Sequence, residues 1–127
     1  MAKVLIVEDS LTMRNIIKNV FKKMGFSPDD LLEAENGEEA LKILEEHGDE
    51  INLITLDVNM PVKNGFETLK EIRANPKYDH IKIVMITTEA KKDFVIKVLK
   101  AGANNYIVKP FTAQTLKKKF EEMNIKV

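Results

Sequence analysis

Two kinds of segment alternate along the chain. The first kind is a short, continuous apolar run rich in β-branched residues. Such runs lie at residues 4–7, 53–56, 83–86 and 106–108, with a weaker run at 31–32. Strands that are apolar on both faces are typical of a parallel sheet whose two sides are covered by helices. The pattern therefore predicts five buried strands.

Between these runs, apolar residues recur at intervals of three and four, which is the period of an amphipathic helix. Five such segments lie around residues 13–24, 40–44, 66–72, 94–99 and 116–123. Ser10, Asn36 and Thr112 are the expected N-caps, because their side-chain oxygens can accept bonds from the free N–H groups of a first helical turn. Gly25 and Gly102 are the predicted ends of the first and fourth helices.

The order is thus strand then helix, repeated five times. Strands separated by helices lie parallel and are joined by right-handed crossovers. With helices on both faces, this order predicts an open, doubly wound α/β sheet of five strands. A length of 127 residues suits one domain, so we expect a single domain over residues 1–127.

Composition restricts the function classes. Cysteine is absent, which excludes disulfides, zinc ribbons and thiol nucleophiles. The sequence contains neither a membrane-length apolar run nor a leader pattern, so we expect a cytoplasmic protein without membrane contact. Twenty basic residues balance twenty acidic ones, so no overall positive field favours nucleic acid.

The charges are nevertheless unevenly distributed. Residues 89–127 hold nine basic and four acidic side chains, and the acidic excess lies in residues 1–88. The basic C-terminal part is either a solvated surface or a docking face for an acidic partner.

Polar side chains follow four of the predicted strands. They are Glu8, Asp9 and Ser10 after the first strand, Asp57 after the third, Thr87 after the fourth and Lys109 after the fifth. In open α/β sheets, ligands bind at the carboxyl ends of the strands, near the reversal in strand order. Each residue alone is explained by a helix cap or a turn, but together they predict a site.

Three neighbouring carboxylates repel one another unless a cation lies among them. Mg²⁺ suits oxygen ligands of this kind, and the lack of histidine or cysteine at these strand ends argues against zinc, copper or iron. A lysine and a hydroxyl are suited to phosphoryl oxygens, and a carboxylate can itself form an acyl phosphate. Because the sequence has no Walker-type loop, we do not expect a nucleotide as the phosphate source.

These residues belong to four motifs that resemble the receiver domain of two-component response regulators. The motifs are VLIVEDS at 4–10, LDVNMP at 56–61 with Gly65, MITT at 85–88 and AGANNYIVKPF at 101–111. The resemblance covers essentially the whole chain and is greatest for stand-alone chemotaxis regulators. It implies a flavodoxin-like fold with strand order 2-1-3-4-5.

The resemblance also implies roles at the site. Asp57 would accept a phosphoryl group from a phosphohistidine on a sensor histidine kinase. Mg²⁺ would be bound directly by Asp9, through water by Glu8, by the backbone carbonyl of Asn59 and by an oxygen of Asp57. Asn59 and Glu89 occupy the positions that tune self-dephosphorylation, and we expect a short-lived acyl phosphate.

Further implied roles concern the response to phosphorylation. Lys109, preceding a cis Pro110, would pair with the phosphoryl group, and Thr87 would move to donate a hydrogen bond to it. Tyr106 would then turn inward and change the surface formed by the fourth helix, the fifth strand and the fifth helix. The implied target is the flagellar motor switch, a phosphatase is a possible further partner, and the protein is expected to be a monomer.

Three positions depart from the common pattern of the family. Glu8 replaces an aspartate, which we expect to shift metal affinity without abolishing binding. Thr88 is bulkier than the usual alanine or glycine and is expected to narrow access to Asp57. Lys63 stands where an apolar residue is common, and it either alters contacts near the site or is an exposed loop lysine.

Two other functions compete with a phosphorylated switch that does not turn over substrate. A phosphorelay intermediate, or the receiver part of a longer regulator, would have the same site and a different partner. A magnesium-dependent phosphatase of the haloacid dehalogenase type would also use an aspartate nucleophile. Against it, the position expected for its general-acid aspartate is Asn59, and 127 residues leave no room for a cap domain.

Overall fold

The computed structural model describes residues 3–125 and contains one five-stranded parallel sheet in the order β2-β1-β3-β4-β5. The strands are β1 (Lys3–Val7), β2 (Leu31–Ala34), β3 (Ile51–Asp57), β4 (Lys82–Thr87) and β5 (Asn105–Val108). The helices are α1 (Leu11–Lys23), α2 (Gly37–His47), α3 (Gly65–Arg73), α4 (Lys92–Lys100) and α5 (Ala113–Glu122). The doubly wound α/β fold and the strand order 2-1-3-4-5 are confirmed.

Each face of the sheet carries its own hydrophobic core. On one face, Leu5 and Val7 of β1 pack with apolar side chains of α2, α3 and α4. On the other, Val4 and Ile6 pack with α1 and α5, and Phe21 of α1 stacks on Phe120 of α5 at 4.5 Å between ring centroids. Successive strand residues point to opposite faces, so a sheet covered on both sides requires the continuous apolar runs seen in the sequence.

The helix ends follow the local sequence signals. The side chains of Ser10, Asn36 and Thr112 each accept a hydrogen bond from a backbone N–H of the first turn that follows. Gly25 and Gly102, which follow α1 and α4, have φ of 101° and 114°, a conformation that costs glycine little. All five predicted end signals are thus confirmed.

Two features differ from the sequence prediction. The weak second run extends into a four-residue strand, Leu31–Ala34, because the whole of it pairs with β1. Single 3-10 turns at Pro28–Asp30 and Pro76–Tyr78 lead into β2 and towards β4. Each begins with a proline, whose fixed φ favours a turn, and the apolar pattern does not reveal them because they contain no apolar repeat. Within residues 3–125, none of the helices has the length and apolar character needed to cross a bilayer.

Thr55, in the middle of β3, is the polar exception in the core. It is fully buried between Ile6 of β1 and Val84 of β4, and its Oγ1 finds no hydrogen-bond partner within residues 3–125. A buried hydroxyl without a partner keeps its desolvation cost. The strand tolerates it because β-branched threonine fits the backbone as well as valine does.

Thr55→Val should therefore stabilise the fold, since it keeps the shape and removes the unpaired hydroxyl. We expect the free energy of unfolding in urea to rise by about 1 kcal/mol. Thr55→Ser is the matched control, because it keeps the hydroxyl, loses a methyl group and should lower stability. A valine variant less stable than the wild type would show that the hydroxyl contributes a bond.

Candidate functional site

The predicted residues converge at the carboxyl edge of the sheet. Asp57 is the last residue of the central strand β3, Glu8 directly follows β1, Thr87 ends β4 and Lys109 directly follows β5. Glu8, Asp57 and Thr87 are buried, with 3%, 2% and 1% of their surface exposed, and Asp9 is exposed. The site lies where the strand order reverses beside β1 and β3, as the doubly wound topology requires.

Three carboxylates and one ammonium group form the centre of the site. One oxygen from each of Glu8, Asp9 and Asp57 lies within 4.8 Å of the other two. Lys109 Nζ donates to Asp57 Oδ1 at 3.1 Å and lies 3.5 Å from Glu8 Oε1. The backbone N–H of Lys109 donates to the Thr87 carbonyl at 2.7 Å, and its bond to Pro110 is cis, as the resemblance implied.

The cluster is short of positive charge. The pKa of Glu8 is raised to about 8, first by burial and then by its hydrogen bond with Asp57 and the charges of Asp57 and Asp9, against the opposing charge of Lys109. Glu8 Oε2 is buried and has no hydrogen-bond partner among residues 3–125. An unpaired buried carboxylate oxygen beside two further carboxylates fits a small divalent cation that prefers oxygen ligands, as Mg²⁺ does.

The loop after β3 is held in place by close packing and by charge. A Cβ on Gly65, the first residue of α3, would overlap the Asp57 carbonyl oxygen, so the helix can approach the end of β3 only with glycine there. Val62 has φ of 68° and is 78% exposed, a strained conformation for a β-branched residue. Both sterically demanding positions follow Asn59, whose carbonyl is the predicted metal ligand, in the segment that leads into α3.

Lys63, in the same loop, is an ion-pairing residue and is mostly covered. Its Nζ lies 2.7 Å from Glu71 of α3 and 3.4 Å from Glu38 of α2. The hydrogen bond to Glu71, followed by the charges of both acids, raises the pKa of Lys63. The interpretation of Lys63 as an exposed loop lysine is therefore wrong, because the residue bridges α2 and α3.

Two neighbouring loops meet near the site. Asn59 Nδ2, after β3, lies 3.4 Å from Thr88 Oγ1, after β4. Thr87 Oγ1 accepts a hydrogen bond from the Glu89 N–H at 2.9 Å, so the Thr87 hydroxyl hydrogen is still available to donate elsewhere. Ser10 takes the ordinary role, as the N-cap of α1, with its hydroxyl accepting from the Met13 N–H at 3.2 Å.

Tyr106 lies on β5, outside the carboxylate cluster. Its ring is half-buried, packs at the margin of one hydrophobic core, and has Lys119 Nζ of α5 at 5.3 Å from its centroid. Tyr106 therefore lies on β5 in contact with α5, within the surface formed by α4, β5 and α5. The structure brings together six of the eight candidate residues at the carboxyl edge, with Glu89 in the adjoining loop and Tyr106 on this neighbouring surface.

Comparison with known proteins decides the family. The sequence model of the response regulator receiver domain family matches residues 4–121. The chain belongs to the response regulator receiver family. The receiver is 54% identical over 121 residues to a chemotaxis protein CheY homolog of Campylobacter jejuni, covering 95% of this chain and 91% of that protein. It is 53% identical to chemotaxis protein CheY1 of Helicobacter pylori, covering 94% of both chains.

Solved structures agree with the sequence relatives. The receiver superposes on chemotaxis response regulator CheY4 of Vibrio cholerae with a TM-score of 0.86 and 34% identity, covering 96% of this chain and 98% of that one. It also matches a chain of the CheX-CheY-BeF3-Mg²⁺ complex from Borrelia burgdorferi with a TM-score of 0.88 and 30% identity, covering 98% and 90% of the two chains. The protein is thus a CheY-like receiver, as the motifs indicated.

Sequence reasoning missed one residue of the receiver's site. Arg14 of α1 is only 7% exposed, and its Nη1 donates to the Glu8 carbonyl oxygen at 2.7 Å. Ile16, an apolar residue of the same helix, is instead exposed. The available signal was spacing, because Arg14 lies three and seven residues before the buried Ile17 and Phe21 and therefore shares their helix face.

The raised pKa of Glu8 predicts an unusual pH dependence for the metal-free receiver. The ordinary pKa of a glutamate is 4.5, and that of Glu8 in the folded state is raised to about 8. Between these two pH values Glu8 keeps a proton in the folded state that it releases in the unfolded chain. Raising the pH in this window therefore favours unfolding, with a slope of at most about 1.4 kcal/mol per pH unit. Urea denaturation at several pH values with a chelator present would measure it.

Glu8→Gln should remove this part of the slope, because glutamine does not titrate. Glu45→Gln, which changes an exposed acid of α2, is the control and should keep the slope of the wild type. An undiminished slope in the Glu8 variant would mean that Glu8 titrates normally in the folded state.

Proposed function

We propose that this receiver is a chemotaxis switch that accepts a phosphoryl group on Asp57 from a phosphohistidine of a sensor histidine kinase. The observation that carries the proposal is the Asp57 carboxylate at the end of β3, buried among two further carboxylates, with Lys109 Nζ at 3.1 Å. In this proposal the protein works in the cytoplasm as a single-domain monomer and does not turn over a substrate.

The residues that would hold Mg²⁺ are Asp9, Asp57, Glu8 and the Asn59 carbonyl. Carboxylate and carbonyl oxygens are the ligands this ion prefers, and the unpaired Glu8 Oε2 supports a cation at this position. When bound, the ion neutralises negative charge between the carboxylates and the incoming phosphoryl oxygens. Glu8 is longer than the aspartate usual in the family, and its carboxylate would still reach the water shell of the ion, with a shift in metal affinity.

The transfer itself exchanges one bond to phosphorus for another. An Asp57 carboxylate oxygen attacks the phosphorus of the phosphohistidine, and the P–N bond breaks as the new P–O bond forms. The electron pair stays on the imidazole nitrogen, which then takes a proton from solvent. Lys109, already 3.1 Å from Asp57 Oδ1, supplies positive charge for the phosphoryl oxygens in the transition state.

The same carboxyl edge would control the lifetime of the acyl phosphate. Water attacking the phosphorus breaks the P–O bond and regenerates the Asp57 carboxylate with inorganic phosphate as product. Asn59 and Glu89 stand at the two positions that tune self-dephosphorylation in the receiver family. Thr88 contacts Asn59 at 3.4 Å and would narrow access to Asp57, and a phosphatase partner would supply catalytic groups at this edge.

Phosphorylation would be read at the surface of α4, β5 and α5. The Thr87 hydroxyl can donate to a phosphoryl oxygen, and the accompanying inward turn of Tyr106 would reshape this surface. The phosphoryl group shifts the population only as far as it binds the active arrangement more tightly than the inactive one. Lysines surround the half-exposed Ile96 and Leu99 of α4, which suits an acidic amphipathic helix.

The flagellar motor switch is the target we propose. The support is the consistent description of the sequence relatives as chemotaxis proteins, together with the lysine-rich surface. A phosphorelay intermediate would share Asp57 and differ only in its partner.

Asp57→Asn should abolish labelling by acetyl phosphate or phosphoramidate in the presence of Mg²⁺, because the amide is not a nucleophile for phosphorus. The modified residue is mapped by mass spectrometry, and the free energy of unfolding should not fall. Asp49→Asn is the matched control, since Asp49 lies before β3 begins, at the opposite end of that strand. Full labelling of the Asp57 variant would assign the nucleophile elsewhere.

Lys109→Arg should keep phosphorylation and lose activation. Arginine retains the charge, but its planar fork does not replace a compact ammonium between two carboxylates. The measurement is the affinity for an acidic helical peptide from a motor switch protein, which in the wild type should rise roughly 5- to 150-fold on phosphorylation.

Lys82→Arg is the control, because Lys82 binds the Met123 carbonyl at the far end of β4, and it should respond as the wild type does. A normal affinity gain in the Lys109 variant would remove Lys109 from the switch. Equal peptide affinity in both states of the wild type would instead favour the phosphorelay.

A further inference from the structure

Arg14 connects α1 to the main chain that carries two of the three clustered carboxylates. Its guanidinium is buried, and Nη1 donates to the carbonyl oxygen of Glu8 at 2.7 Å. On the other side of the same residue, the Glu8 N–H donates to the Ala34 carbonyl of β2 at 3.0 Å. Both backbone groups of Glu8 are therefore fixed, although β1 has already ended at Val7.

The guanidinium is itself held from outside the cluster. Arg14 Nε donates to Glu33 Oε1 of β2 at 3.0 Å, and Lys18 Nζ donates to the other oxygen of Glu33 at 2.9 Å. Burial alone would raise the pKa of Glu33, but the hydrogen bonds and charges of Lys18 and Arg14 lower it below its usual value. Glu33 is therefore an ionised anchor, and Glu35 adds a second acid 3.8 Å from Nη2.

Arg14 could act either as a counter-ion of the carboxylate cluster or as a group that orients the backbone, and the acids around it distinguish these two roles. A guanidinium facing Glu33 and Glu35 has its charge balanced on that side, so it does not act as the counter-ion of the carboxylate cluster. Its direct contact with Glu8 is to the carbonyl oxygen, which carries no net charge. Through this bond Arg14 determines the orientation of the peptide plane between Glu8 and Asp9, and so the direction in which both side chains leave the backbone.

Orientation matters here because the carboxylates repel one another. Glu8 and Asp9 lie within 4.8 Å of Asp57, and without a cation this repulsion favours any backbone movement that separates them. The Glu8 carbonyl, if released by Arg14, would also lose its bond at a buried position, a cost that again favours rearrangement. A fixed peptide plane keeps the ligands ready for the cation.

We propose that Arg14 is a positioning residue for the divalent cation, acting through the Glu8 carbonyl and anchored by Glu33. The inference rests on the proposed function, because it assumes that Glu8, Asp9 and Asp57 bind Mg²⁺. Groups that orient metal ligands without touching the metal are commonly worth 10- to 100-fold in metal affinity.

The test measures Mg²⁺ affinity by calorimetric titration in Arg14→Lys and Arg14→Gln. Lysine keeps the charge but cannot bond the Glu8 carbonyl and Glu33 together as the fork does. We expect both variants to bind Mg²⁺ about tenfold more weakly or worse. Labelling by acetyl phosphate should need correspondingly more Mg²⁺ for half its maximal rate, while the rate at saturating Mg²⁺ stays close to that of the wild type.

Lys18→Met is the matched control. It removes the other partner of Glu33 and leaves the Arg14 bond to Glu8 in place, so its Mg²⁺ affinity should stay within about twofold of the wild type, as expected for a partly exposed ion pair. Glu33→Gln provides a second variant that does not remove the buried arginine. It weakens the anchor and should lower Mg²⁺ affinity several-fold, even if an Arg14 variant fails to fold.

The outcomes separate this inference from the proposed function. A wild-type protein that takes up no Mg²⁺ would overturn the proposed function. A wild type that binds Mg²⁺, with Arg14→Lys or Glu33→Gln binding equally well, would overturn the positioning role alone. Tighter binding by Arg14→Gln would show that the guanidinium acts only as a repelling charge, and equal weakening in Lys18→Met would show general loosening of α1. Either result would also overturn the inference.

Discussion

The excess of negative charge at the carboxyl end of β3 is the constraint on which the other features of the site depend. Asp57 is buried beside Glu8, with Asp9 at the surface, and Lys109 is the ammonium group within reach of the two buried acids. Burying carboxylates is costly unless opposite charges compensate them. The pKa of Glu8 is raised to about 8 by burial and by the neighbouring acids despite the charge of Lys109, and a proton or, in the proposed function, a divalent cation would relieve this repulsion.

The buried carboxylates stay close together despite their repulsion because the surrounding backbone has little freedom to move. Both faces of β1 and β3 are packed by separate cores, so neither strand can move its charged end away without opening a core. The loop after β3 is fixed by the contact between Gly65 and the Asp57 carbonyl and by the pairing of Lys63 with α2 and α3. In the proposed function this arrangement favours cation binding, because Glu8, Asp9 and Asp57 are already held together and a cation relieves the repulsion between them.

The features predictable from the sequence are those set by local pattern or by parallel topology. Ser10, Asn36 and Thr112 cap helices through bonds to the next turn, and the carboxyl ends of parallel strands must share an edge, which brings Asp57 and Lys109 together across 52 positions. The strand order itself came from the resemblance and not from the pattern. The features that could not be predicted depend on which elements lie next to each other. Arg14 bonds to Glu8 and Glu33 because α1 lies beside β2. Lys63 likewise pairs with Glu38 and Glu71 because α2 and α3 are adjacent.

Lys109 and Thr87 link the charge at the site to the surface that would be read. The Lys109 N–H is bonded to the Thr87 carbonyl, so the ends of β4 and β5 form one connected unit, and Tyr106 lies three residues before Lys109 on β5. Adding phosphoryl oxygens to Asp57 provides new acceptors for both side chains, and neither can adjust without affecting a strand end that leads into α4 or α5. On the α1 side, the donors Arg14 and Lys18 are already bonded to Glu33 and, for Arg14, to the Glu8 carbonyl. The charge change is therefore expected to move one side of the molecule while the other keeps the metal ligands fixed.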